Sequence, residues 1–189
     1  MQIQIRPAKS TDAPLLAQIF IYAIGEEAAR GYCGEDYRSV LITLCQSKGC
    51  QYYYENALVA ECDGQPAGGI IGYDGAQLVP LRKVTLDIIS KYNPLEVVPQ
   101  DETEAGEFYI DSLGILPQFR GRGIGRDLLK AMCHRATQMG HQRIGLLVDK
   151  ENPNAERLYR SIGFCEVGHK TFFGHHMKHL VLHADFKKN

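Results

Sequence analysis

No stretch of this chain is apolar for long enough to cross a bilayer, and its opening Met1-Gln2-Ile3-Gln4-Ile5-Arg6-Pro7 lacks a basic-then-apolar leader. The expected location is the cytoplasm, without a membrane partner. An excess of either charge is also missing, since 21 basic residues nearly cancel 22 acidic ones and leave a formal −1. With no global positive field, nucleic acid is not an expected partner, and any basic site must be local. Cys-x-x-Cys pairs are absent too: Cys33, Cys45, Cys50, Cys62, Cys133 and Cys165 are scattered. That excludes a zinc knuckle, a redox dithiol and a disulfide scaffold, and leaves reduced, mostly core thiols. Nor is there an internal repeat or a low-complexity segment. What is present suits one domain over residues 1–189, with 44% hydrophobic residues to build its core.

Periodicity supplies the elements. Ile3 and Ile5 alternate as a short strand, and Ser10-Thr11-Asp12 offers N-cap candidates before Leu15, Leu16, Ile19, Phe20, Ala23 and Ile24 at helical spacing. Gly25 stops that helix, and a second is expected from about Glu35 to Lys48. Asp63-Gly64 between Ala57–Cys62 and Gln65–Tyr73 predicts a hairpin with a type I′ turn. Residues 75–105 read as an insertion, with Leu81, Val84, Ile88 and Ile89 on one helical face, Asn93-Pro94 ending it, and an acidic loop at Asp101, Glu102 and Glu104. A strand at 107–115 then feeds a helix of about Gly121 to Met139, with Leu128, Met132, Ala136 and Met139 as its buried stripe. Ile144–Val148 reads as a strand covered on both faces, Asn152-Pro153 as a helix start, Gly163 as its stop, and about Phe164–Lys170 and His176–His183 as two final strands.

The most informative feature is the turn Arg120-Gly121-Arg122-Gly123-Ile124-Gly125-Arg126, which follows a strand and opens a helix. Glycines let backbone N–H groups converge on phosphate oxygens where the helix dipole is positive, so the turn suits a pyrophosphate. The dinucleotide fingerprint fails because its sixth position is Arg126, and a Walker loop fails because Gly125 precedes Arg126-Asp127. Arg-x-x-Gly-x-Gly fits. Together with Leu113-Gly114-Ile115-Leu116-Pro117 before it and Asn152-x-x-Ala155-x-x-Leu158-Tyr159-x-x-x-Gly163-Phe164 after it, this pattern resembles the GNAT superfamily of acyl-CoA-dependent N-acyltransferases.

The resemblance covers about residues 107–167. It implies an α/β (α+β) fold, with a mixed, mostly antiparallel sheet of about six to seven strands splayed between the fourth and fifth and flanked by about four helices. It implies acetyl-CoA as co-substrate and no metal. The amides of Arg120 to Arg126 would take the pyrophosphate, with Arg120, Arg122 and Arg126 adding positive potential, and Arg122 and Arg126 sharing a helix face. Leu113, Gly114 and Ile115 would face the pantetheine arm and thioester, the Leu113 N–H polarising the acetyl carbonyl. Asn152 caps its helix and, with Ala155, lies where the family contacts the pantetheine. Tyr159 is the expected acid for the departing thiolate: between an ordinary phenol near ~10 and a thiol near ~8.5 the transfer is uphill by only about 2 kcal/mol.

Glu107, Tyr109 and Asp111 alternate onto one strand face, which makes Asp111 and Glu107 the candidate bases, each with a plain hydrogen-bond or ion-pair role as the alternative. The C-terminal histidines (His169, His175, His176, His179, His183) have spacings unsuited to a metal set. Tyr52-Tyr53-Tyr54 reads as packing or as a stacking surface for an acceptor. The acceptor itself is expected to be a primary amine, on a small molecule or a peptide, and the acidic insertion loop would favour a cationic one such as a polyamine. A non-catalytic acyl-CoA-binding module is the alternative function, and a homodimer is compatible with the sequence.

Overall fold

Asp63 and Gly64 both take positive φ, 49° and 78°, as a type I′ turn demands, and the chain reverses there from β2 (Ala57–Cys62) into β3 (Gln65–Asp74). This hairpin belongs to a seven-stranded sheet in a computed structural model that describes residues 2–94, 99–172 and 174–184. β1 (Ile3–Pro7), β4 (Phe108–Ile115), β5 (Arg143–Asp149), β6 (Cys165–Phe172) and β7 (His175–His183) complete it in the order β1-β2-β3-β4-β5-β7-β6. Every adjacent pair is antiparallel except β4 and β5.

Side-chain alternation sends the strands' residues to two cores. Ala57, Val59 and Ile71 pack under α1 (Ala13–Ile24), α2 (Glu26–Cys33), α3 (Tyr37–Gln46) and the end of α4 (Leu78–Ile89). Leu58, Ala60, Ile70, Phe108 and Ile110 face the opposite way, onto Leu128, Met132 and Ala136 of α5 (Ile124–Gln138). Each fully buried Leu or Ile contributes roughly 1.5–3 kcal/mol, so both faces of the central strands are held firmly. The last helix, α6 (Pro153–Arg160), begins at Asn152, whose side chain accepts the Ala155 N–H at 3.1 Å.

Among the described residues there are six α-helices, roughly in line with the about four implied, and Gly25 and Gly34, at φ 88° and 84°, bound an additional short one. The piece between them, α2, has no counterpart in the sequence reading. Asp12 occupies the N-cap position of α1, but its carboxylate turns to Arg6 (2.7 Å) and the Lys9 N–H (2.8 Å) instead of capping. Met139 is 56% exposed, since α5 ends one residue before it and the expected stripe stops at Ala136. Five cysteines are buried, Cys165 is exposed, and all six are free thiols. A helix forms within residues 75–105 as expected, α4, and ends at Ile89, earlier than Asn93-Pro94. No described helix is long and apolar enough to cross a membrane.

Candidate active site

The parallel pair β4–β5 is registered only at Phe108–Ile144, Tyr109–Gly145 and Ile110–Leu146. Beyond Ile110 the strands part. β4 continues against β3 on its other side, where Leu116 N–H binds Ala67 O at 2.8 Å. Alternation of an antiparallel ladder then turns the backbone groups of Leu113 and Ile115 away from β3, toward the side that β5 has left. Arg120 confirms the phase, because its Nε donates to Ile115 O at 3.0 Å from that open side.

Asp111 sits where the ladder slips. Ile71 pairs with Ser112 and Gly72 with Ile110, so Asp111 is the extra residue of a β-bulge. Its side chain enters a cavity of about 200 Å³ that also borders Leu113, Tyr109, Asn152, Ala155 and Tyr159. Burial first, and the negative charge of Glu102 second, push the Asp111 carboxyl up to about 7, against a hydrogen bond from Ser112 Oγ at 2.7 Å that lowers it. Glu102 is itself buried and fully engaged: it accepts from Gln51 Nε2 (2.8 Å) and Tyr73 Oη (2.9 Å) and pairs with Arg82, which also holds Asp101 at 2.5 Å. Two carboxylates of the acidic loop, Asp101 and Glu102, thus share the one guanidinium of Arg82. In the same cavity lining, burial raises the Tyr159 phenol to about 12, and its ring lies 6.1 Å from that of Phe164.

At the glycine turn, Gly121 and Gly123 adopt φ of 75° and 82°, and open space surrounds the position of a Cβ at each. Gly123 is the N-cap of α5. Arg120 N–H is taken up by Pro117 O (3.3 Å) and Arg126 N–H by Gly123 O (3.0 Å), which narrows any anion-holding role to the amides between them. The sequence profile of the Acetyltransferase (GNAT) family matches residues 22–164, most of the chain and all of these features. The chain belongs to that family.

Relatives of this GNAT protein include a spermine/spermidine N(1)-acetyltransferase of Bacillus subtilis (strain 168), 27% identical over 137 residues, which are 72% of this chain and 75% of that protein. A mycothiol acetyltransferase of Gordonia bronchialis is 38% identical over 65 residues, 34% of this chain and 20% of that protein. The match thus spans about a fifth of the length of the curated mycothiol acetyltransferases. A solved acetyltransferase structure superimposes with a TM-score of 0.77 at 29% identity, covering 96% of this chain and 100% of that one. The parting of β4 and β5 is the splay that the resemblance implied.

The GNAT cleft gathers Asp111, Leu113, Asn152, Ala155 and Tyr159, but Glu107 does not line it. Glu107 precedes β4 and is 1% exposed. His179 Nε2 meets its carboxylate at 2.9 Å, Thr103 Oγ1 at 3.1 Å and Arg143 Nε at 3.4 Å. Burial alone would raise this carboxyl; His179, Thr103 and Arg143 outweigh it and hold the group below its ordinary value. An engaged, acidic carboxylate is a poor base, so Glu107 is a structural anchor between β4, β5 and β7. A Cβ on Gly145 would overlap that carboxylate, which is bonded on both oxygens and cannot retreat without losing His179. Gly145→Ala is expected to cost about 2–3 kcal/mol and lower Tm by roughly 5–10 °C in a thermal melt.

The arginines are anchored differently from the sequence reading. Arg122 precedes α5, so it shares no helix face with Arg126, and its NH2 group donates to Gln118 O at 3.1 Å. Arg120 also lies over the Tyr22 ring at 5.4 Å, while Arg126 is exposed at the start of α5. Tyr52 is buried, edge-on to Phe20 at 4.5 Å, and forms part of the cavity wall. Among the described residues no group of three or more His, Cys, Asp or Glu side chains is placed to hold a metal ion; His175 pairs with Asp149 at 2.8 Å. Sequence reasoning missed the bulge at Asp111 and the pairing of Glu102 with Arg82. The Gly72 opposite the bulge was the available signal for the first.

Proposed function

We propose that this protein transfers an acetyl group from acetyl-CoA to a primary amine by direct attack in a ternary complex. The observation that carries this reading is that one cavity at the strand opening is lined by both Asp111 at the bulge, with a carboxyl raised toward neutrality, and the protonated phenol of Tyr159. The donor set fits coenzyme A: left-handed glycines at 121 and 123, the amides of 121–125 at the positive end of α5, and unpaired-side amides of Leu113 and Ile115 along the opening. Bound there, acetyl-CoA supplies an activated thioester.

The protein's own residues handle position and protons. Leu113 N–H, turned into the opening, donates to the acyl oxygen as charge builds on it. Asp111 takes the first proton from the entering ammonium and passes it to solvent. A C–N bond then forms and a C–S bond breaks. Tyr159 gives its proton to the leaving sulfur, and the second proton shed by nitrogen restores the phenol. Burial that raises Tyr159 to about 12 also raises a thiol beside it, so the gap between them stays within reach of an ordinary barrier.

Asp111 works only when ionised, so the rate should rise through pH about 7. Removing the Glu102 charge favours the Asp111 anion. Glu102→Gln is therefore expected to move the inflection to lower pH, giving a larger fraction of the plateau rate at pH 6. Tyr32, Tyr52, Tyr73 and Tyr109 surround the same carboxyls and stay neutral there, each raised by burial. An inflection unchanged in a folded Glu102→Gln protein contradicts this coupling. The function as a whole is tested by incubating purified protein with acetyl-CoA and an amine panel and following free thiol. Thermal stabilisation by coenzyme A without turnover on any amine favours a binding module instead.

A further inference from the structure

Charge around the cleft is unevenly spent. Among the described residues no Lys or Arg lines the cavity, and its only acidic side chains are Asp111 and Asp149. Asp149 is satisfied, with one oxygen held by His175 Nδ1 at 2.8 Å and the other by the Glu151 N–H at 2.8 Å. Behind the cavity, Asp101 and Glu102 are both bound to Arg82. Asp111 differs: among the described residues its carboxylate has one hydrogen bond, from the neutral Ser112 hydroxyl, and no Lys or Arg beside it. The walls around it are aromatic, from Phe20 and Tyr22 of α1, Tyr52, Tyr109, Tyr159 and Phe172 of β6.

Resting on the acyltransferase reading, we propose that the acceptor is a small primary monoamine with an aromatic or similarly bulky apolar body and no carboxylate or phosphate, its ammonium docking on Asp111. One carboxylate with an oxygen still open matches one ammonium. A second ammonium, as in a polyamine, would leave water for a site where both oxygens of the other carboxylate, Asp149, are already hydrogen-bonded. An acceptor carboxylate would lie near Asp111 with no Lys or Arg to offset it, and like charges in a half-buried site repel strongly. The aromatic walls favour an apolar body by burial and hold the ammonium by cation–π attraction.

Three acceptors separate the possibilities: phenethylamine, L-phenylalanine, which adds only a carboxylate to that skeleton, and spermidine. With acetyl-CoA at pH 8, phenethylamine is expected to lead both in kcat/KM by at least about 100-fold. Parity, or a preference for L-phenylalanine or spermidine, overturns the acceptor class while leaving acyl transfer intact. Should no amine release thiol, the transfer reading fails instead, and calorimetry on protein saturated with coenzyme A still decides the pocket. There phenethylamine must bind at least about tenfold tighter than the other two, and parity overturns the proposal.

Discussion

Asp111→Asn is expected to lower kcat by 10²- to 10³-fold at pH 8 and, at the same pH, to make the protein more stable. The first effect follows from loss of the cavity carboxylate that, among the described residues, is held only by a neutral hydroxyl. The second follows from linkage. The folded carboxyl sits at about 7 against an unfolded value near ~3.9, so the folded state binds more protons between those limits. Its stability contribution is full below the lower value and is lost as pH rises through about 7. The ceiling is about 4 kcal/mol, less whatever solvent access through the cavity relieves. Thermal melts should show Asn ahead of Asp at pH 8 and level with it near pH 4. A variant that is both inactive and less stable at pH 8 would mean that Asp111 holds the strand together and is not a strained, functional group.

Tyr159→Phe is expected to lower kcat by about 100-fold with little change in KM for the amine, because the phenol acts on the leaving sulfur and not on the acceptor. Its ring packing against Phe164 survives the substitution, so Tm should move by only a few degrees. The pH profile separates this role from that of Asp111. With the phenol at about 12, no alkaline fall from Tyr159 enters the working range, and the variant should keep the rise through pH about 7. An unchanged kcat removes the phenol from the chemistry, and a vanished acid limb shows that the two groups had been assigned the wrong way round.

How much of this was legible in the sequence differs from element to element for physical reasons. Local chemistry was readable: Asp63-Gly64 dictates its turn by φ, Asn152-Pro153 its helix start, and the glycines at 121 and 123 their left-handed turn. Alternation along 107–115 correctly put Tyr109 and Asp111 together. It could not show that Glu107, two residues earlier in the same register, is captured by His179 from 72 positions away. Nor could an acidic loop reveal that Arg82, on the preceding helix, pairs with both Asp101 and Glu102. Both depend on long-range pairing, and the bulge at Asp111 depends on a ladder slip against β3 that no single-strand pattern encodes.

The central claim is that main-chain amides of the glycine turn and of the parted strand hold coenzyme A, and backbone NMR during its titration tests this most directly. The amide resonances of Gly121 to Gly125, together with Leu113 and Ile115, should shift and saturate at one equivalent, while those of Ile3 to Arg6 in the outer strand stay in place. A titration that leaves those seven amides unmoved, or that moves a cluster elsewhere, contradicts the account.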